Sequence, residues 1–340
     1  MTRFRSMHVL ALLLTLLAAS CAGGPAGNSG KGYDHYAIGD TAAPTPRPVT
    51  PGLLLVGGGD WPYAAYRWMF DRAGNGHVVV LRASYADENQ KEMYQQIGGV
   101  ASVQTLVFHE RRASYDPRVL EILARADGIY AAGGDQSNYV RYWQGTPVED
   151  AINRHVAAGK PFGGTSAGLA IQGRWVYGAM DGHSLTSATA LADPHSSQLT
   201  IVSDFLRLEP LYSAGVLTDT HFAERERQGR LIAMMAKVQR EHPGSPVVGL
   251  GIDEKTALAI DGQGQGRVFS EDGGYAWVFQ PGAAVAQAPG RGLGTSLWKV
   301  VGVGTSSRLH LGTWQVDAPA FQVTVQARDG RLAWDPALPK

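Results

Sequence analysis

Gly163-Gly164-Thr165-Ser166-Ala167-Gly168 places a serine between glycines at minus two and plus two. A short apolar segment precedes it and a run of small residues follows. That is the pattern of a tight strand-to-helix turn, with the hydroxyl exposed at the edge of a sheet. The serine can serve as a nucleophile, and the N–H of Ala167, opening the helix, would point toward the oxygen of an attacked carbonyl. Glycine-rich turns also cradle phosphates or let a helix pack close to a sheet, so the turn needs partners before it implies chemistry.

Three further blocks supply candidates. A serine needs a base, and histidine is the side chain best poised to accept its proton near neutral pH. Of the ten histidines, His221 alone sits in a dense polar run with an apolar lead-in, Thr218 to Arg230. The base needs a carboxylate to fix its tautomer. Asp253 and Glu254 follow the apolar run Val248 to Ile252, and Asp219 is a local competitor. Strand alternation lets only one of Asp253 and Glu254 face the site. The fourth block, Ala132-Gly133-Gly134-Asp135-Gln136, is a glycine turn after a strand. Gly134 would offer the second oxyanion N–H, and Gln136 a neutral amide for a substrate.

The elements that must position these groups read as an α/β chain. Apolar runs at Leu53–Val56, His77–Leu81, Val103–Phe108, Gly128–Ala132 and Val247–Ile252 predict strands. Helical segments are predicted at Trp61–Arg72, Asp87–Ile97, Pro117–Ala126, Ser137–Tyr142, Val148–Ala158 and Gly229–Arg240. This alternation predicts a mainly parallel sheet covered on both faces, with ligands at the carboxyl ends of its strands, where the glycine turns fall. Leu191 to Gln198 reads as a loop that continues irregularly toward Leu217. From Ala257 onward, short β-prone runs with glycine turns predict an antiparallel edge or a β-rich extension.

The 340 residues suffice for one large α/β domain with extensions, and Lys+Arg and Asp+Glu balance at 30 each. That balance leaves no basic field for nucleic acid. No Cys/His ligand spacing and no P-loop are present, so neither metal nor organic cofactor is expected. Arg3 and Arg5 precede the apolar run Val9 to Ala18 and then Ala19-Ser20-Cys21. This reads as an export signal too short to span a membrane, and it resembles a lipoprotein signal in which Cys21 becomes lipidated. Cys21 is the only cysteine, so no intramolecular disulfide can form. Alanine after it, rather than Asp, suits the outer membrane or periplasmic face of a bacterial envelope. The expected organisation is a signal over 1–20, a flexible Gly/Pro/Ser/Thr-rich tether over 21–51, a catalytic domain over 52–262 and a β-rich extension over 263–340.

Together the four blocks resemble the cyanophycinase-type serine peptidases, the family that also contains aspartyl dipeptidases of the peptidase E kind. The resemblance covers roughly Leu53 to Ile260 and rests on GGDQ at Gly133–Gln136, GTSAG at Gly164–Gly168, D-x-H-F at Asp219–Phe222 and G-I-D-E at Gly251–Glu254. It implies a three-layer α/β/α fold like that of class I glutamine amidotransferases, with Ser166 as nucleophile, His221 as base and Glu254 as orienting acid. It also implies a substrate-binding set of Gln136, Asp219, Thr220, Arg225, Arg227 and Arg230, the arginines anchoring carboxylates or bracing the site. The implied substrate is a peptide rich in aspartyl units, cyanophycin first and isoaspartyl or Asp-X dipeptides second; the alternative from another class is a non-catalytic envelope-binding lipoprotein, against which the presence of Ser166, His221 and Glu254 together argues. The implied partner surface is a membrane reached through the lipid, and a homodimer is the candidate assembly. Cyanophycinases usually carry Gln where this chain has Thr220, a shorter side chain with less reach toward a substrate.

Overall fold

The computed structural model describes residues 32–84, 89–282, 292–293, 296–328 and 330–338. The proposed signal and lipidation site, Cys21 included, lie outside the described residues. Among them no helix is long and apolar enough to cross a membrane.

The strands are β1 Tyr33–Gly39, β2 Gly52–Val56, β3 His77–Arg82, β4 Ser102–Phe108, β5 Gly128–Ala131, β6 Phe162–Thr165, β7 Trp175–Tyr177, β8 Ile201–Ser203, β9 Val216–Asp219, β10 Val248–Ile252, β11 Thr256–Asp261, β12 Gln265–Ser270, β13 Ala276–Pro281, β14 Ser296–Val303, β15 Arg308–His310, β16 Gln315–Asp317, β17 Phe321–Arg328 and β18 Arg331–Asp335. The helices are α1 Tyr63–Arg72, α2 Asn89–Lys91 (running on as a π-helix over Glu92–Ile97), α3 Pro117–Arg125, α4 Gln136–Trp143, α5 Pro147–Ala157, α6 Ala167–Ala170, α7 Ser187–Ala192 and α8 Gln228–Glu241.

The expected α/β order is present, distributed over two mixed sheets. The first runs β1-β4-β3-β5-β6-β2-β11-β12-β15-β16, and its centre from β4 to β2 is parallel. The second runs β18-β17-β14-β13-β10-β9-β7-β8, with β10, β9 and β7 parallel. Side-chain alternation on β2 shows why both faces of the first sheet must be covered. Leu54 and Val56 pack with Tyr66, Met69 and Phe70 of α1. Leu53 and Leu55 face the other way, into a core shared with α3, α5 and the inner residues Leu250 and Ile252 of β10. The outer face of the second sheet is closed by α8, whose Leu231 and Met235 pack with Trp277 and Phe279 of β13.

Three boundaries differ from the sequence expectation. The tether does not extend to residue 51: β1 pairs antiparallel with β4 along its full length, and Tyr33 is completely buried. Seven β-prone residues are too few to stand out beside a Gly/Pro/Ser/Thr-rich stretch. The following segment is also strapped down, through Thr45 Oγ1 donating to Asp127 and the Arg47 N–H donating to the Gly74 carbonyl. The irregular stretch before Leu217 contains α7 and β8, and Val216–Asp219 is a buried strand. The β-rich C-terminal region is present, and it builds onto both sheets: β12 pairs with β11, and β13 with β10.

Candidate active site

Five turns meet at the carboxyl ends of parallel strands. β6 ends at Thr165, in register with Val56 at the end of β2, and Ser166 follows as the cap of α6. Ser166 has φ 50° and ψ −114°, a backbone state a non-glycine residue holds only when its surroundings over-determine it. Here the Ser166 N–H donates to the Val56 carbonyl at 3.1 Å, and its own carbonyl accepts from Leu169 and Ala170. Gly168 must lack a side chain, because a Cβ there would lie 1.9 Å from the Ala131 carbonyl oxygen.

His221 lies beyond β9, likewise at positive φ, 44°. Its N–H donates to the Gly57 carbonyl at 2.8 Å, and that of Phe222 to Ile252 at 3.1 Å. Phe222 anchors the turn from below: it is fully buried against Trp277 and Phe279, over a Gly251 that has no room for a Cβ. The imidazole lies on Gly58, where a Cβ would come within 2.2 Å of Cε1 and φ is +122°. The result is a hydrogen-bonded line. Ser166 Oγ is 2.8 Å from His221 Nε2, and His221 Nδ1 is 2.5 Å from Glu254 Oε1. A carboxylate only accepts, so Nδ1 carries the proton and Nε2 is left to accept from the serine. Burial lowers the pKa of His221 from its usual 6.5, with Arg225 and Arg227 adding to the effect and Glu254 opposing it.

The structure separates the two neighbouring carboxylates. Glu254 turns toward the histidine, its N–H held by Glu224 Oε1 and its carboxylate 3.9 Å from Arg225. Asp253 points the other way. Its Oδ1 accepts from the Ala223 N–H and Trp277 Nε1, and its Oδ2 from the Tyr275 N–H. Burial pushes its pKa up to about 6 against those three donors. Asp253 therefore pins the β9–α8 turn to β13 and does not touch His221.

Two of the expected substrate-binding residues are likewise withdrawn from the cleft. Asp219 and Arg230 form a buried bidentate pair, Nε to Oδ2 at 2.7 Å and Nη2 to Oδ1 at 2.5 Å, with Arg230 Nη1 also donating to Ser184 Oγ and the Leu185 carbonyl. Sequence spacing put both in the right block, but it could not say which arginine the aspartate captures. Gln136, Thr220, Arg225 and Arg227 do line the cleft beside Ser166 and His221, together with Gly134, about 210 Å³ in volume. Arg227 Nη1 donates to both the carbonyl and the hydroxyl of Thr220, so the hydroxyl that stands in for a longer amide is already engaged. Burial brings the Arg227 guanidinium down to about 10, with Asp219 opposing the shift. Gly134 has φ +138°, and a Cβ at its neighbour Gly133 would sit 3.5 Å from Ser166 Cβ. This turn and the first turn of α6 thus flank the serine.

The Gly57-Gly58-Gly59 turn carries no side-chain chemistry, so the sequence marks it as a glycine turn after a strand without tying it to His221. Three successive glycines after a buried strand were the available signal. His183 and Ser184, which complete the cleft wall, carry none. A larger cavity of about 550 Å³, between Pro51, Lys160, Arg207 and Leu311, lies toward the opposite end of β2 and is not lined by the serine–histidine pair. Among the described residues no cluster of His, Cys, Asp and Glu could hold a metal.

Residues 82–267 match Peptidase family S51. The chain belongs to that family. It is 26% identical over 231 residues to a cyanophycinase of Trichormus variabilis, covering 65% of this chain and 71% of that one. To a cyanophycinase of Synechococcus elongatus it is 31% identical over 195 residues, 56% of this chain and 55% of the relative. A solved peptidase from an acI-B1 actinobacterium aligns over 66% of this S51 chain and 90% of its own, at 18% identity and a TM-score of 0.48. Membership of Peptidase family S51, together with the cyanophycinase relatives, makes this chain a peptidase.

The arrangement separates positioning from chemistry, and one pair of variants tests that division. Asp253→Asn turns an amide N–H toward a donor and is expected to cost about 1.5–3 kcal/mol of stability, read as a lowered Tm. Glu254→Gln is expected to leave the unfolding free energy within about 0.5 kcal/mol of the parent. Equal destabilisation by both would contradict the division.

Proposed function

We propose that this S51 peptidase is serine-type and hydrolyses peptide bonds next to aspartyl residues. The observation that carries the reading is the line Ser166 Oγ–His221 Nε2–Glu254 Oε1, at 2.8 and 2.5 Å. In this reading Ser166 attacks the carbonyl carbon as its proton passes to His221 Nε2, and Glu254 stabilises the imidazolium. The N–H groups of Ala167 and Gly134 face the developing oxyanion. The imidazolium returns the proton to the leaving amine, and water then releases the acyl group with His221 again as base. Arg225 and Arg227 supply the cationic wall for a substrate carboxylate, with Gln136 and Thr220 beside them. Arg230 and Asp219 act behind that wall as a brace.

Cyanophycin is the first candidate substrate, because the relatives matched at 26% and 31% identity are named cyanophycinases. Aspartyl or isoaspartyl dipeptides form the second reading, favoured by the small cleft beside the arginines and by Thr220 bound to Arg227. The test is turnover of cyanophycin and of both dipeptide classes by the parent chain and by Ser166→Ala. Loss of about 10⁴-fold or more in Ser166→Ala on whichever substrate is cut is expected. Undiminished turnover by that variant would overturn the mechanism.

His221 must be neutral to act as a base, and its lowered pKa extends that state to lower pH. The acid limb of kcat/KM is therefore expected below pH 6.5. Arg225→Ala removes a cation that lowers this pKa, so the limb is expected to move upward. A downward move would contradict the electrostatic account.

We also propose that the chain is exported and held to a bacterial envelope through lipidated Cys21. Incorporation of a labelled fatty acid that is abolished by Cys21→Ser is the expected result, and incorporation that survives it would rule the anchor out.

A further inference from the structure

Three neighbouring strands carry the row Gly251–Trp277–Gly302, in register across β10, β13 and β14. Glycine inside a strand weakens it and marks a place where another group approaches closely. Here the two glycines admit rings from elsewhere in the chain. A Cβ at Gly251 would lie 2.4 Å from Phe222 Cγ, and one at Gly302 would lie 2.2 Å from Phe321 Cε1. Directly opposed residues of antiparallel strands share a face, so Phe222, the Trp277 indole and Phe321 stand side by side on one surface of the sheet. The Phe222 and Phe321 centroids lie 5.7 and 4.8 Å from that of the indole, at interplanar angles of 56° and 62°. The indole is 5% exposed, and its Nε1 donates to Asp253 Oδ1 at 2.9 Å.

Two contacts of this one side chain therefore end next to the hydrogen-bonded line of the site. Phe222 follows His221 in the chain, and Asp253 precedes Glu254. The Phe222 N–H also donates to the Ile252 carbonyl at 3.1 Å, which joins the two turns beneath the imidazole. A shift of the indole moves the backbone on which both the base and its acid are mounted. Trp277 and Phe321 lie beyond residues 82–267 that match Peptidase family S51.

We propose that Trp277 is a positioning residue for the His221–Glu254 pair, clamped between Phe222 and Phe321 so that its N–H fixes Asp253. The C-terminal β-rich region thereby holds the base and its acid in register, besides extending the two sheets. The proposal rests on His221 and Glu254 acting on Ser166, and one of its two readouts needs no reaction, so the two can fail separately.

Trp277→Phe keeps a ring between Phe222 and Phe321 and removes the N–H. Trp298→Phe is the matched control, since Trp298 is 1% exposed in the same region and donates to Ser296 Oγ of its own strand at 2.8 Å. The first readout is the His221 pKa in the substrate-free chain, followed by NMR of ring-labelled histidine and assigned by loss of the signal in His221→Ala. Arg225 and Arg227 lower that pKa and Glu254 raises it, so a ring that slips from Glu254 titrates lower. The second is the rate at which diisopropyl fluorophosphate labels Ser166. Trp277→Phe is expected to lower the pKa and to slow labelling about tenfold or more. Trp298→Phe is expected to lower Tm as well, but to leave the pKa in place and change labelling by no more than about twofold. Phe321→Leu removes the outer ring and keeps the N–H; it is expected to shift both readouts in the same direction, and it decides the question if Trp277→Phe does not fold. A His221 pKa in Trp277→Phe and Phe321→Leu equal to the parent's, or a fall matched by Trp298→Phe, would overturn the proposal. A parent chain that the reagent leaves unlabelled would count against Ser166 as nucleophile, with the pKa comparison still deciding the part played by Trp277.

Discussion

The His221 ring rests on Gly58 at a distance that admits no side chain, and the rest of the site is arranged around that contact. The ring can lie there only because β2 ends in a glycine turn at the seam between the two sheets. The chain crosses that seam through Asp253 to Lys255, where the Lys255 N–H donates to the Gly58 carbonyl at 2.8 Å and the Gly57 N–H to the Thr256 carbonyl at 2.9 Å. The turn under the histidine and the turn carrying Glu254 therefore fix one another. Any side chain at residue 58 would push the imidazole away from both Ser166 and Glu254, which it meets at hydrogen-bond distance on opposite edges.

Behind these groups lies a layer of buried charge that does not line the cleft. Asp253 collects three N–H donors, and Asp219 holds Arg230 in two hydrogen bonds. Fully satisfied networks of this kind rigidify their surroundings, and breaking one leaves an uncompensated buried charge. Their placement fits the strained backbone they support, since Ser166 and His221 both sit at positive φ. The electrostatic consequence is local. Arg225 and Arg227 favour neutral His221, while Glu254 favours the imidazolium that forms as the serine loses its proton.

The parts legible in the sequence were those whose chemistry is local. The glycines around Ser166 mark a strand-to-helix turn, and the apolar runs gave β2 to β5 and β10, and the helical pattern α8, with small shifts at their ends. Short elements were not legible. β1 hides in a Gly/Pro/Ser/Thr-rich stretch, and β9 is only four residues long. The choice between Asp253 and Glu254 was half legible: alternation says that one faces the histidine, but which one depends on Trp277 of β13 and on Tyr275 just before it, more than twenty positions away. The withdrawal of Asp219 and Arg230 from the cleft follows from a pairing that only the folded chain displays.

The central claim is that Ser166, made nucleophilic by His221, forms a covalent bond to the acyl half of a peptide. The measurement that tests it most directly is mass spectrometry of the parent chain quenched in acid during turnover of an aspartyl peptide, followed by digestion and mapping. The account expects an acyl adduct on the peptide containing Ser166, accumulating further in Glu254→Gln if that change slows deacylation more than acylation. Steady turnover with no adduct on Ser166, or an adduct mapped to another residue, would contradict it.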